Sequence, residues 1–168
     1  MTLIVEDGSI VTGAESYATV AEATAYHAAR NNTAWAALAT DALREAALRK
    51  ATEYMVSTYR ARWQGTRKTE DQALCWPRYD VVIEGYLVDD ASVPETIKRA
   101  CAELALRASA ADLNPDLTQG VAREKVGQIE VEYDKASPQF TRYRAIDALL
   151  SPYLKAGGGG CSMGLIRS

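Results

Sequence analysis

The chain has 168 residues, enough for one domain or one domain with tails. Its net charge is −3 and its pI about 5.3, which argues against a protein whose main task is to neutralise phosphates; a local basic patch stays open. Hydrophobic residues make up 48%, but much of that is alanine, so helices should pack closely, bury little area each and give a lone subunit modest stability.

Three cysteines, Cys75, Cys101 and Cys161, stand far apart, with no CxxC pair and one histidine, His27. A zinc site needs four ligands at recognisable spacing, so neither a metal nor a cofactor is expected, and the thiols read as reduced in a cytosolic setting. "MTLIVEDGSIVTG" has no basic n-region and no long apolar core, so it does not read as a signal peptide. No apolar run approaches the ~20 residues of a membrane span.

In chain order, Leu3 to Val11 is β-like and broken at Asp7-Gly8, which predicts an N-terminal strand or hairpin. "TVAE" makes Thr19 and Glu22 a capping box, predicting a helix from there to about Arg30. "TAWAALAT" gives a short helical turn anchored by Trp35. Asp41 to Arg60 reads as a long helix, with Leu48, Ala51, Met55 and Tyr59 inward and Arg44, Glu45, Arg49, Lys50 and Glu53 outward. Trp63 to Tyr86 has no clear period and reads as an extended loop held by Trp63, Leu74 and Trp76. So long a loop in a compact domain is often functional or covered by a partner.

"SVPETIKRACAELALRASA" is the clearest helix, with Ser92 as cap and Pro94 in the first turn. Its seam Ile97, Cys101, Leu104, Ala108 and Ala111 suits a close helix neighbour, and makes Cys101 a small core residue. Ile129, Val131 and Tyr133 alternate with Glu130, Glu132 and Asp134, a half-buried strand that Gly127 turns back on Val121 to Val126. Tyr143 to Leu154 closes the fold as a helix that Pro152 ends or kinks. Four glycines, Gly157 to Gly160, then lead to "CSMGLIRS", either a disordered end or a docking peptide.

The catalytic inventory is thin. Any nucleophile–histidine pair must use His27, which lies among alanines, and no G-x-S-x-G elbow occurs, so no catalytic residue is assigned. The glycine run lacks the Lys-Ser/Thr ending of a phosphate loop. Glu130, Glu132 and Asp134 read as a solvated face, without the ligand number of a calcium site. Tyr59 to Lys68 is the one basic stretch with interleaved rings: Arg60, Arg62, Arg67 and Lys68 around Tyr59 and Trp63. Such a mixture suits stacking on single-stranded DNA, or pairing with an acidic neighbouring subunit. The plain alternative is a helix end whose cations the dipole favours, with a core tryptophan.

Taken in order, "SYATVAEATAYHAARNNTAW", "ALRKATEYMVSTYRARWQGTR", "QALCWPR", "VPETIKRACAELALRA", "REKVGQIEVEYD", "AIDALLSPYL" and a glycine-rich end with "LIRS" resemble a family of tailed-bacteriophage proteins of similar length. That family is labelled DnaT-like single-stranded-DNA-binding protein, and its members are also similar to head–tail connector adaptors, or head-completion proteins. The resemblance covers nearly the whole chain, and "QALCWPR" with "REKVGQIEVEY" carries it best.

It implies a mainly α fold: a small helical bundle with a β-hairpin or small sheet (residues 1–155) and an extended glycine-rich C-terminal docking arm (156–168). It implies a structural virion protein, not an enzyme. Such a protein is assembled in the host bacterial cytoplasm into homo-oligomeric rings, usually of twelve subunits, at the head–tail interface. There it binds the portal protein, extends the channel through which double-stranded DNA passes without specific binding, and offers a docking surface to a tail-side connector, stopper or tail protein. No membrane partner is implied. On that reading Met163, Leu165, Ile166 and Arg167 dock on the portal or a neighbour, and Glu130, Glu132 and Asp134 face the channel or the next subunit. Arg60, Arg62, Trp63, Arg67 and Lys68 are the candidate nucleic-acid or inter-subunit contact. A single-stranded-DNA-binding module is the alternative function.

Overall fold

The computed structural model describes residues 2–115, 123–126, 129–132 and 141–155, with 123–126 and 129–132 described by their backbone. Its elements are α1 (Val20–Ala28), α2 (Thr33–Ala36), α3 (Asp41–Tyr59), β1 (Thr66–Arg67), β2 (Arg78–Tyr79), β3 (Val82–Ile83), β4 (Tyr86–Leu87), α4 (Glu95–Ala108), β5 (Arg123–Val126), β6 (Ile129–Glu132) and α5 (Arg144–Leu150), the last followed by a 3-10 turn, Ser151–Tyr153. The fold is mainly helical with small antiparallel ribbons, β1–β2, β3–β4 and β5–β6. The expected arm, 156–168, lies outside the described residues.

The N-terminal segment is not the expected strand or hairpin. It forms one isolated bridge, Val5 to Ser16. The buried Glu6 carboxylate instead accepts from the backbone N–H groups of Gly8 (2.9 Å), Ile10 (3.0 Å) and Val11 (3.0 Å). A side chain thereby satisfies donors that a partner strand would have taken, and the alternating sequence coils around it.

Helix α1 starts where the capping box places it. The Glu22 N–H donates to Thr19 Oγ1 (3.0 Å) and the Thr19 N–H to Glu22 Oε2 (2.7 Å). Trp35 on α2 is buried and its indole donates to Thr24 Oγ1 at 3.0 Å. Helix α3 buries Leu48, Ala51, Met55 and Tyr59 as its spacing requires. It packs most extensively on α4, whose inward face holds Ile97, Ala100, Cys101, Leu104, Ala105 and Ala108. Small side chains at that seam let the two backbones approach, and Cys101 is a core residue. Two details of α4 differ from expectation. Pro94, not Ser92, holds the N-cap position, and the helix ends at Ala108, which leaves Ala111 exposed rather than on the seam.

Helix α5 buries Ile146 and Leu150, and Pro152 lies in the 3-10 turn that finishes it. Beyond that turn the chain returns to the stretch after α3. The Gln64 N–H donates to the Tyr153 carbonyl (2.9 Å), the Lys155 N–H donates to the Arg62 carbonyl (2.7 Å), and Trp63 bridges to Leu154.

The 63–86 region is held by Trp63, Leu74 and Trp76, all buried, as expected, and it adds two ribbons too short to leave a period. Buried Gln72 organises the loop between β1 and β2. Its amide donates to the carbonyls of Leu74 (2.9 Å) and Pro77 (3.1 Å) and accepts from the Thr69 N–H (3.0 Å). The Trp76–Pro77 peptide is cis. The β3–β4 ribbon turns through Glu84 and Gly85, whose φ values of 53° and 87° suit a type I′ turn.

Candidate functional site

The basic stretch begins where α3 ends. Tyr59 and Trp63 both point inward, so Trp63, 1% exposed, is corrected from candidate stacking ring to core residue. Tyr59 donates its hydroxyl proton to Asp147 Oδ1 at 2.8 Å, and burial pushes its pKa far above the usual phenol value. Ring follows ring from there. Tyr59 meets Trp63 at 5.8 Å between centroids, Trp63 meets Trp76 at 5.7 Å, and Trp76 meets Tyr153 at 5.6 Å, the last two edge to face. This ladder joins α3, the β1–β2 loop and the C-terminal turn, and leaves neither ring of the basic stretch for a base.

The cations divide. Arg60 and Arg62 are exposed, and the Arg62 guanidinium lies 5.4 Å from the Tyr59 ring centroid. Arg67 donates from Nη2 to the Gln72 carbonyl, while its buried Nε has no partner. Lys68 Nζ donates to the Asp90 carbonyl (2.9 Å), pairs with Asp90 Oδ1 (3.5 Å) and lies 5.6 Å from the Tyr79 ring centroid. A further arginine, Arg78, stands outside the basic stretch in the sequence. It is buried and donates to the carbonyls of Gln64 (2.6 Å), Gly65 (2.7 Å) and Cys75 (3.1 Å). Burial lowers its pKa and raises that of the Cys75 thiol, against which Arg78, Arg60 and Arg67 pull. Cys75 and Cys101 are buried free thiols.

Among the described residues the two most exposed large apolar side chains, Tyr86 and Leu87, lie on the β3–β4 ribbon, ahead of Leu43 on α3 at 52%. Tyr86 is 78% exposed, Leu87 72% and Val82 48%, with Tyr79 on β2 at 39%. The signal was present as two short apolar runs, "VVI" and "YLV", flanking Glu84-Gly85. Contiguous exposed apolar groups of this kind mark interaction surfaces.

His27 is packed inside. Its Nε2 lies 3.0 Å from the Ala102 carbonyl and its Nδ1 3.0 Å from Asn32 Nδ2, so a neutral ring donates to the first and accepts from the second. Burial lowers its pKa. No group of three or more metal-ligating side chains occurs among the described residues, and none of their helices is long and apolar enough to cross a membrane.

Glu130 and Glu132 lie on β6, while Asp134 lies outside the described residues. The backbone register pairs Glu130 with Lys125 and Glu132 with Arg123. Met163, Leu165, Ile166 and Arg167 also lie outside the described residues.

Residues 1–168, the entire chain, match the model of the family described as "Putative DnaT-like ssDNA binding protein". The chain belongs to that family. No curated protein and no solved structure matches it. Within the DnaT-like family, then, this member keeps the rings of its basic stretch inside and places tyrosines of two neighbouring ribbons outside.

Proposed function

We propose that this chain is a structural virion protein of tailed bacteriophages. It forms a ring at the head–tail interface, binds the portal protein, extends the DNA channel and offers a surface to the next tail-side protein. The observation that carries this reading is the exposed apolar ribbon of Val82, Tyr86 and Leu87, on a chain whose basic stretch keeps its rings in the core. Apolar projections suit protein partners, and an adaptor in a ring has two lateral faces to cover. A net charge of −3 also suits a duct through which DNA slides without sticking. Residues 1–155 form the ring domain and 156–168 the arm that docks on the portal.

Negative-stain images of the protein with its portal test this directly. Rings on the portal are expected for the native chain. They should be lost when Gly160 to Ser168 are deleted, and weakened in Tyr86→Ser/Leu87→Ser. A native chain that never joins a portal under assembly conditions sinks the proposal.

Single-stranded-DNA binding is the second reading. It is favoured by the family's description and by Arg60 and Arg62, which form no carboxylate ion pair among the described residues. It expects an oligothymidylate to be shifted in a salt-dependent way that weakens in Arg62→Ala and Arg67→Ala. No shift at low salt removes it.

A further inference from the structure

Arg44, Arg49, Arg99 and Arg107 each hold a carboxylate, whereas Arg30, Arg60, Arg62, Arg67, Arg78 and Arg144 form no ion pair among the described residues. Of these, Arg60, Arg67 and Arg78 are also crowded. The β1–β2 register sets Arg67 directly opposite Arg78, an arrangement that like charges normally avoid. Arg78 spreads its charge over three carbonyls, but Arg67 has one, and its Nε is enclosed without an acceptor. Arg60 approaches the same place from the end of α3, on the helix face it shares with Val56.

Between these elements lies an open notch of about 250 Å³, lined by Val56, Arg60, Arg67, Glu70, Gln72 and Cys75 among others. Arg60, Arg67 and Arg78 all act electrostatically on the Cys75 thiol there, so their positive fields converge. Glu70 lines the notch too, but forms no ion pair with any of them.

We infer that this notch is a receptor for one phosphate group, held between the guanidinium groups of Arg60 and Arg67, with buried Arg78, bonded to the Cys75 carbonyl, adding a fixed positive charge nearby. Guanidinium groups that reach the notch from two different elements suit an anion with acceptors on more than one side. A tetrahedral phosphate offers that, whereas a carboxylate presents a single flat edge. The inference does not rest on either function proposed above. A ring protein without affinity for single strands can carry it, and so can a DNA binder.

The test uses the full-length protein and three probes: sodium phosphate, sodium acetate at matched ionic strength, and a fluorescent oligothymidylate. Phosphate should raise the melting midpoint more than acetate does, and the excess should vanish in Arg60→Gln and Arg67→Gln but persist in Arg107→Gln. That result identifies a free phosphate or phosphomonoester as sufficient. If only the oligothymidylate binds, about tenfold more weakly in the Arg60 and Arg67 variants than in Arg107→Gln, the site takes a nucleic-acid phosphate. Arg60 is exposed, so its variant keeps the test decisive if Arg67→Gln fails to fold. Equal responses to phosphate and acetate, with oligothymidylate binding indifferent to both substitutions, would overturn the inference.

Discussion

The ribbons β1–β2 and β3–β4 are near neighbours in sequence, equal in strand length and both antiparallel, yet they do opposite things with their large side chains. The first is built into the interior. Buried Arg78 lies on its second strand, and Trp63 and Trp76 flank it inside the aromatic ladder. The second presents Tyr86 and Leu87 to solvent. Local strand geometry does not decide this difference. The first ribbon lies between α3 and the returning C-terminal turn, which supply rings and carbonyls to pack against, while the outer strand of the second meets nothing comparable among the described residues.

Replacing a ring in the ladder should have the largest effect. Trp76→Ala removes a fully buried indole that touches Trp63 and Tyr153, and is expected to cost about 3–5 kcal/mol in denaturant unfolding. A loss under 1 kcal/mol would mean the ladder is not a structural unit.

The glycines of the two ribbons give the cleanest paired test. Gly65 has φ +63°, and a Cβ there would meet the Tyr79 carbonyl oxygen at 1.9 Å and Val81 Cγ2 at 2.9 Å. Gly65→Ala should therefore cost about 2–4 kcal/mol, combining left-handed strain with displacement of β2. Gly85 has φ +87° but nothing within 4 Å, so Gly85→Ala should cost only the strain, about 1 kcal/mol. Equal melting midpoints for the two variants would erase the claimed contrast.

Tyr59→Phe deletes the hydrogen bond to Asp147 and leaves a carboxylate that water reaches, for an expected loss of about 1 kcal/mol. Its measure is the unfolding midpoint at neutral pH, with Tyr86→Phe as the exposed counterpart expected to change nothing.

The interior should also be weaker in acid. Burial depresses the folded-state pKa of His27 below its ordinary 6.5, so the unfolded chain binds the proton first. The stability associated with the neutral ring is present above pH 6.5 and is lost as pH falls through the folded value. Compared with the wild type, His27→Gln should show a flatter stability profile from neutrality into that range; an unchanged slope counts against a buried neutral ring.

The smallest effect on stability belongs to Tyr86→Ser/Leu87→Ser, within about 0.5 kcal/mol. Its consequence should instead be read in self-association or partner binding by sedimentation. A large drop in melting midpoint would show that the ribbon packs on its own domain.

What could be read from the sequence follows how local each cause is. The α1 start is written in Thr19 and Glu22, three residues apart, and the inward face of α3 in the spacing of Leu48, Ala51, Met55 and Tyr59. The pairing of β5 with β6 follows from alternation around Gly127. Leu3 to Val11 misled because its alternation fits a strand, and only the turn of Glu6 onto its own backbone removes the need for a partner. Ala111 misled because the seam continues in sequence after the helix has stopped. The candidate site was half legible. Its arginines were visible as a cluster, but whether Trp63 faced in or out depended on Trp76 and Leu154, far along the chain. The two-residue strands of β1 to β4 were too short for any period to show.

The stitching of Gln64 to Tyr153 and of Lys155 to Arg62 also fixes the C-terminal turn to the end of α3. The Lys155 N–H is tied to the Arg62 carbonyl, so the C-terminal turn and the exposed pair Arg60 and Arg62 share one corner of the domain. Loosening that stitch, as in Gln64→Ala, should free the C-terminal turn before it unfolds the helices, which amide exchange at Leu154 and Lys155 would show.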